Sequence, residues 1–160
     1  MAKALVTYFS ASGVTAAVAS RLAKAIEADI FEIKPKVPYS SADLNYVNPL
    51  ARCNREKIGR KDVPVEGVVE NMAEYDTIYL GFPIWYGKAP RVVFSFLDAY
   101  SFKGKTVIPF ITSGSTGISS AASELKSAYP GVSWKTGDRL NGKSSEQLKS
   151  WLESLGIKVN

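Results

Sequence analysis

The chain has 160 residues, of which 46% are hydrophobic, and it carries 20 Lys and Arg residues against 15 Asp and Glu. This balance is typical of a globular protein and excludes a disordered chain. Histidine is absent and cysteine occurs once, at Cys53, which excludes a Ser-His-Asp triad, a Cys-His pair, an imidazole metal ligand and an internal disulfide. We therefore expect chemistry that depends on a bound cofactor, with no catalytic side chain and no metal.

The length predicts a single domain over residues 1–160. No apolar run approaches the roughly 18 residues of a membrane span. The first ten residues lack the apolar core and the cleavage site of a signal peptide. We expect a cytoplasmic protein without membrane insertion.

Apolar, β-branched runs alternate with helical patterns along the chain. Strands are predicted at residues 4–9, 30–33, 77–82, 106–111 and, from a shorter pattern, 132–134. Helices are predicted at residues 15–27, 91–100, from after Gly117 to about Tyr129, and 144–155, the last with Ser144 or Ser145 as N-cap and Gly156 as its stop. Residues 39–61 are interpreted as a loop with a short helix. The alternation predicts a parallel sheet with helices on both faces.

Basic residues are concentrated in the segment 52–61. It contains Arg52, Arg55, Lys57, Arg60 and Lys61. Glu56 is its one acid, so the segment holds a net charge of +4. Such a segment can form a solvated helix face or dock an anionic partner. We expect no nucleic-acid binding, because no aromatic residue interleaves with these charges.

Three predicted strands end in short polar or aromatic clusters. The first strand ends in residues 10–15, the third in residues 83–87 and the fourth in residues 112–117. Ligands of open parallel sheets bind beyond the carboxyl ends of the strands. The three clusters are therefore predicted to line one pocket.

The first cluster combines hydroxyls, a glycine and a helix start. Ser10, Ser12 and Thr15 can donate hydrogen bonds, Gly13 permits a tight turn, and N–H groups at a helix N-terminus attract anions. It contains no Lys or Arg, unlike a Walker A loop, and no G-x-G-x-x-G pattern. The pattern indicates a phosphate cradle or, alternatively, an ordinary helix cap.

The other two clusters are suited to a flat ligand. Trp85 and Tyr86 can stack on a planar ring or cover the adjacent helix. The hydroxyls and backbone groups of residues 112–117 can bond a polar ring edge or form a turn before the next helix. Taken together, the three clusters fit a planar ring system that carries a phosphate.

These residues resemble the flavodoxin family. Residues 10–15 are similar to its phosphate loop, residues 81–90 to the first isoalloxazine loop of its short bacterial branch, and residues 112–117 to the second. The resemblance implies an α/β flavodoxin-like three-layer sandwich, with a five-stranded parallel sheet in the order 2-1-3-4-5, and non-covalently bound FMN. The residues that it implies for FMN binding are Ser10, Ser12, Gly13, Val14, Thr15, Pro83, Ile84, Trp85, Tyr86, Gly87, Thr112, Ser113, Gly114, Ser115, Thr116 and Gly117.

Three features depart from the family pattern. Val14 stands where the phosphate loop usually has Asn, which removes a side-chain contact but leaves the backbone amide. Residues 112–117 contain no aromatic, whereas many flavodoxins stack a Tyr there, so one flavin face is expected to be open. The chain is basic, whereas electron-carrier flavodoxins are usually acidic, so its redox partners are expected to differ.

The predicted function is electron transfer through the flavin, with redox partner proteins or small electron acceptors. Two alternatives stay open. One is an FMN-dependent reductase that uses NAD(P)H to reduce quinones or similar acceptors, and the other is an FMN-binding regulatory protein without turnover. A phosphoryl-accepting receiver domain is disfavoured, because Phe9 and Ser10 stand where acidic residues would be needed.

Overall fold

The structure is a computed structural model that describes residues 3–10, 13–35, 65–67, 69, 71–84, 89–113, 117–135 and 137–157. Its strands are β1 (Lys3–Tyr8), β2 (Asp29–Glu32), β3 (Lys34–Pro35), β4 (Val65–Glu66), β5 (Tyr75–Pro83), β6 (Thr106–Thr112), β7 (Ser133–Trp134) and β8 (Asp138–Arg139). Its helices are α1 (Val14–Ile26), α2 (Arg91–Asp98), α3 (Ser119–Ala128) and α4 (Ser145–Ser154). The basic segment 52–61 lies outside the described residues.

The main sheet is parallel, with the strand order β2-β1-β5-β6-β7. This is the predicted order 2-1-3-4-5, which is confirmed. Two short strands, and not one, occupy the edge of the sheet beside β6, because β8 also pairs with β6. Phe110 pairs with Asp138, and Ile111 pairs with Arg139. The two short strands β7 and β8 therefore lie along different parts of β6.

Gly137 permits this return to the sheet. A Cβ atom at Gly137 would lie 1.9 Å from the carbonyl oxygen of Pro109, which is far inside van der Waals contact. Only a residue without a side chain can bring the backbone this close to β6. The close approach fixes where Asp138 and Arg139 join the sheet.

Helices cover both faces of the sheet because successive strand residues point to opposite sides. Leu5 belongs to the core under α2 and α3, whereas the next residue, Val6, belongs to the core under α1 and α4. On the α1 face, Val18 and Leu22 are spaced one helical turn apart and both are buried. The three-layer architecture that the alternating pattern predicts is confirmed.

Helix α4 shows why local sequence predicted helix ends well. Ser144 is its N-cap, and the Ser144 hydroxyl accepts a hydrogen bond from Gln147 N while the Gln147 side chain accepts one from Ser144 N. This reciprocal capping box satisfies two donors that the helix cannot pair internally. Gly156, just after the helix, has φ +79°, as expected for a glycine stop.

A short pair of strands was, like β8, not predicted. Lys34 and Pro35 in β3 pair antiparallel with Val65 and Glu66 in β4, beside the main sheet. Two-residue strands carry no periodicity from which they could be recognised. Among the residues that the structure describes, none of the helices has the length and apolarity needed to cross a bilayer.

Candidate functional site

The carboxyl ends of β1, β5 and β6 adjoin, and hydrogen bonds connect the residues that follow them. Ile84 N donates to the carbonyl oxygen of Thr112 at 3.1 Å, which joins the end of β5 to the end of β6. Phe9 N donates to the carbonyl oxygen of Gly81 at 2.9 Å, which joins β1 to β5. The described parts of the three clusters are thus brought to one edge of the sheet.

The first cluster forms a turn that leads into α1. The N-cap of α1 is Gly13, at φ +94° and ψ −12°, and this residue has no side chain with which to cap the helix. Gly13 N instead donates to the Ser10 hydroxyl at 3.0 Å, which closes the turn. Because Ser10 accepts in this bond, its own hydroxyl hydrogen can be donated to a further group. Ser12 lies outside the described residues.

Thr15 is buried, and its hydroxyl contacts another buried hydroxyl. The Oγ1 atoms of Thr15 and Thr112 are 2.7 Å apart, and the two residues are 2% and 4% exposed. Either atom can be the donor. Since each hydroxyl carries one hydrogen, their mutual bond uses one of the two and leaves the other for a third partner.

Val14 occupies the first turn of α1 and is 45% exposed. The position where the family usually has Asn therefore presents an apolar side chain to solvent. The backbone of Val14 has helical geometry as the first residue of α1. Its amide is one of those at the helix start that lack an intrahelical acceptor.

The second cluster is described only at its start. Pro83, the last residue of β5, pairs in register with Thr112. Ile84 is half-buried and packs against the core under α2 and α3. The predictions for Trp85, Tyr86 and Gly87 lie outside the described residues. Helix α2 then begins at Arg91 with Pro90 as its N-cap, where proline costs no hydrogen bond.

The third cluster begins with a tightly held residue, Ser113. Its N–H donates to Asn141 Oδ1 at 2.9 Å. Its carbonyl oxygen accepts from Arg139 Nη2 at 2.8 Å and from Arg139 Nε at 3.2 Å, and its hydroxyl lies 3.1 Å from Arg139 Nε. Gly117 is exposed at the other end of the cluster, and the predictions for Gly114, Ser115 and Thr116 lie outside the described residues.

Arg139 and Asn141 were not predicted from the sequence. Arg139 is the last residue of the two-residue strand β8, which has no periodic pattern, and Asn141 lies two residues beyond it. Both meet Ser113 only because β8 pairs with β6. The one local signal is the Gly-Asp-Arg-Leu-Asn-Gly run at 137–142, in which two glycines enclose polar side chains. Such a run indicates a turn but does not say which strand it lies against.

Tyr8 and Glu32 contribute polar groups at the same edge. They are the last residues of β1 and β2 and are paired in register. Burial raises the pKa of Tyr8, and the Glu32 carboxylate, which accepts a hydrogen bond from the phenol, raises it further. The phenol therefore stays protonated at neutral pH. Within the described ranges, no group of three or more His, Cys, Asp and Glu side chains is placed to hold a metal ion.

Solved structures of similar proteins match this chain over nearly its whole length. A protein of Bacteroides eggerthii DSM 20697, assigned as a flavoprotein, has 39% sequence identity over 99% of this chain and 100% of its own, with a TM-score of 0.95. One from Bacteroides uniformis ATCC 8492, also assigned as a flavoprotein, has 44% identity over 95% of this chain and 98% of its own, with a TM-score of 0.92.

A more distant structure, the flavoprotein of Lactobacillus acidophilus NCFM in complex with FMN, has 22% identity over 98% of this chain and 99% of its own, with a TM-score of 0.71. It shares the fold. No curated protein sequence matches the chain. The family model described as flavodoxin matches residues 3–155, and the chain belongs to the flavodoxin family.

Proposed function

We propose that this chain binds FMN non-covalently beyond the carboxyl ends of β1, β5 and β6 and carries electrons through it. The observation that carries the proposal is the junction at Thr112. This residue accepts a hydrogen bond from Ile84 N and contacts the Thr15 hydroxyl, so all three clusters adjoin one residue. Membership of the flavodoxin family supports FMN as the cofactor, as does the FMN complex of the Lactobacillus acidophilus protein.

The first cluster would hold the phosphate of FMN. Ser10, Ser12 and Thr15 would supply hydroxyls, and Val14 would supply a backbone N–H group at the start of α1. Gly13, whose N–H donates to the Ser10 hydroxyl, would shape the turn that surrounds the phosphate. These donors are neutral, but hydrogen bonds to a charged acceptor are about twice as strong as neutral ones, and the positive end of the helix dipole adds to them. The available hydroxyl hydrogens of Ser10 and of the Thr15–Thr112 pair are consistent with this role.

The second and third clusters would hold the ring. Residues 83–87 and 112–117 lead away from neighbouring strands, so they would lie on two sides of a flat ligand. When bound, FMN supplies the redox chemistry. The side chains of this protein bind the cofactor, orient it and exclude water, and none acts as an acid or a base.

The remaining predictions belong to the same proposal. Residues 1–160 form one domain, the protein is cytoplasmic, and electrons pass to and from redox partner proteins or small acceptors. The basic character of the chain favours partners with an acidic docking surface, because complementary charge accelerates association.

The absorbance spectrum of the purified protein tests the cofactor. We expect the two visible bands of an oxidised flavin, or their shift and loss of fluorescence when FMN is added to the colourless protein. Riboflavin, which lacks the phosphate, should bind less tightly. A protein that neither contains FMN nor changes the FMN spectrum at micromolar concentrations would overturn the proposal.

One observation favours a reductase as the second candidate. Residues 112–117 contain no aromatic, which would leave a flavin face open to a small substrate. Mixing the FMN-loaded protein with NADPH or NADH and a quinone separates the two functions. Steady turnover would identify a reductase, whereas reduction only by a flavoprotein reductase would identify an electron carrier. An FMN protein that neither source reduces would be a regulatory protein.

A further inference from the structure

The start of the 112–117 cluster is held by side chains that come from the segment 139–143. Arg139 donates from Nη2 and Nε to the Ser113 carbonyl oxygen, and Nε also lies within hydrogen-bond distance of the Ser113 hydroxyl. Asn141 Oδ1 accepts from Ser113 N. Both backbone polar groups of Ser113 are therefore occupied by this segment at the point where the β6 strand has ended.

The segment that supplies these contacts is itself anchored. Ile111 in β6 pairs with Arg139 in register, and Leu140 N donates to the Ile111 carbonyl oxygen at 2.9 Å. Leu140 is fully buried, in the core under α1 and α4. The backbone that carries Arg139 is thereby held against β6, and its planar guanidinium presents Nε and Nη2 as a pre-organised pair of donors.

The same segment also contacts the helix that begins at the first cluster. Arg21, in the second turn of α1, donates from Nη1 to the Lys143 carbonyl oxygen at 2.8 Å. The Thr15 hydroxyl, in the first turn of α1, contacts the hydroxyl of Thr112, the residue before Ser113. The segment 139–143 therefore connects α1 with the third cluster by a route separate from the hydroxyl pair.

We propose that Arg139 is a positioning residue that orients the 112–117 loop against the flavin ring and sets a fixed positive charge beside that loop. This inference rests on the proposed function. The guanidinium acts through Ser113 and is not required to touch the cofactor. Because it holds the ring side of the site and not the phosphate side, its loss weakens every ligand that contains the isoalloxazine ring, whether or not the ligand has a phosphate.

The charge has a consequence of its own. Reduction of a flavin adds negative charge to the ring, and a nearby fixed cation favours the reduced form. Within the third cluster, the described cationic contact comes from Arg139. A neutral replacement should therefore lower the two-electron midpoint potential of the bound flavin, whereas a replacement by lysine should keep it close to the parent value.

The test compares Arg139→Gln, Arg139→Lys and Asn141→Ala with the parent and with Lys103→Gln. Lys103 is exposed and lies before β6, at the opposite end of that strand, so its change removes one positive charge far from the site. Each full-length protein is freed of flavin and titrated with FMN and with riboflavin by fluorescence, and the midpoint potential of the FMN-loaded form is measured.

For Arg139→Gln we expect about tenfold weaker binding of both ligands, with the ratio of the two dissociation constants unchanged, and a lower potential. Lysine has a single nitrogen and cannot make the two hydrogen bonds that Arg139 Nε and Nη2 donate to the Ser113 carbonyl oxygen. Arg139→Lys should therefore bind both ligands more weakly than the parent but keep the midpoint potential. Asn141→Ala weakens both ligands and also keeps the potential. Lys103→Gln should match the parent in both measurements.

Three results would overturn the inference. One is parent-like binding and potential in Arg139→Gln, and another is a loss confined to FMN, which would assign Arg139 to the phosphate. The third is a lower thermal unfolding midpoint with both dissociation constants unchanged, which would indicate a purely structural role. If Arg139→Gln does not fold, the ratio of the FMN and riboflavin dissociation constants in Arg139→Lys and in Asn141→Ala tests the inference in its place. A parent that binds no flavin would instead refute the proposed function, and this inference with it.

Discussion

The hydroxyl oxygens of Thr15 and Thr112 lie 2.7 Å apart, although the two residues are separated by 97 positions in the sequence. Both side chains are buried, so bulk water cannot take the place of a missing hydroxyl as a hydrogen-bond partner. A buried polar group that loses its partner keeps its full desolvation cost. The pair therefore fastens the first turn of α1 to the end of β6.

This contact can be measured with valine substitutions, since valine keeps the shape of threonine and removes the hydroxyl. Thr15→Val and Thr112→Val should each lower the free energy of unfolding by about 1–3 kcal/mol, because each leaves one buried hydroxyl unpaired. The double variant should be more stable than the sum of the two losses predicts. Urea unfolding of the four proteins checks this, and strictly additive losses would show that the two hydroxyls are not coupled.

The phosphate assignment makes a separate prediction for ligand binding. Ser10→Ala and Thr15→Val each remove a hydroxyl from the first cluster, and a hydrogen bond to a charged group contributes roughly 1.5–3 kcal/mol. Both should weaken FMN binding about tenfold or more while changing riboflavin binding little. Ser144→Ala, at the N-cap of α4, provides the matched control, because it removes a serine hydroxyl from a different helix start. Equal losses for FMN and riboflavin would reject the phosphate role.

The sequence predicted the elements whose signals are local. Ser144 and Gly156 mark the ends of α4 by their own chemistry, and the buried strands β1, β5 and β6 are long enough for their apolar runs to be recognised. The alternation of strands and helices predicts a parallel sheet, whereas the strand order 2-1-3-4-5 is implied by the resemblance to the flavodoxin family. The ends of α4 and the three long strands are the parts of the fold that neighbouring residues determine.

The contacts that organise the candidate site could not be predicted in this way. Thr15 meets Thr112, and Arg139 meets Ser113, only after distant strands have paired. Thr15 also illustrates a limit of residue-type reasoning. Residue type alone predicts that its hydroxyl binds a ligand but does not reveal that it also has a protein partner, because the helix start and the end of β6 bring two threonines together in the interior.

Gly13 should be intolerant of a side chain for a backbone reason. A Cβ atom there would meet nothing within 4 Å, but φ is +94°, a conformation that costs residues with a side chain about 1–2 kcal/mol. Gly13→Ala should lower the free energy of unfolding by that amount or widen the turn and weaken FMN binding. Gly117→Ala is the control for the free energy of unfolding, since Gly117 also has open space and its φ is not in the left-handed region. Only the unfolding free energies are compared, because Gly117 itself belongs to the third cluster. Equal effects of the two changes would contradict this explanation.

Alkaline pH should destabilise the protein partly through Tyr79. This residue of β5 is buried in the core under α1 and α4, and burial raises the pKa of its phenol to about 12. In the unfolded chain the pKa is near 10, so the folded state retains the proton to a higher pH. The stabilisation is therefore complete below about pH 10 and is lost as the pH rises toward about 12.

The measurement compares urea unfolding of the parent and of Tyr79→Phe between pH 8 and pH 11. Phenylalanine cannot ionise, so the variant should lose less stability than the parent above pH 10. Other groups titrate equally in both proteins, which makes the difference between the two slopes the relevant quantity. Parallel curves over the whole range would mean that the phenol of Tyr79 does not contribute.

The ring that stacks on the flavin is predicted to be Trp85. Trp85 and Tyr86 lie two and three residues after Pro83, the last residue of β5. Because adjacent residues of a loop generally point apart, we expect only one of the two rings to lie flat on the flavin. Trp85 offers the larger surface, and aromatic stacking contributes roughly 0.5–1.5 kcal/mol beyond buried area. The negative face of an indole also disfavours the electron-rich reduced flavin. Trp85→Ala should therefore weaken FMN binding, raise the potential of the second electron and restore much of the flavin fluorescence.

Tyr86→Ala is the matched comparison, because it removes the neighbouring ring from the same loop. It should change FMN affinity, fluorescence and potential less than Trp85→Ala does. Trp85→Phe separates stacking from the mere presence of a large residue, since it keeps an aromatic face and should retain most of the quenching. If bound FMN stays equally quenched in Trp85→Ala but brightens in Tyr86→Ala, the stacking ring is Tyr86, and the indole packs elsewhere on the loop.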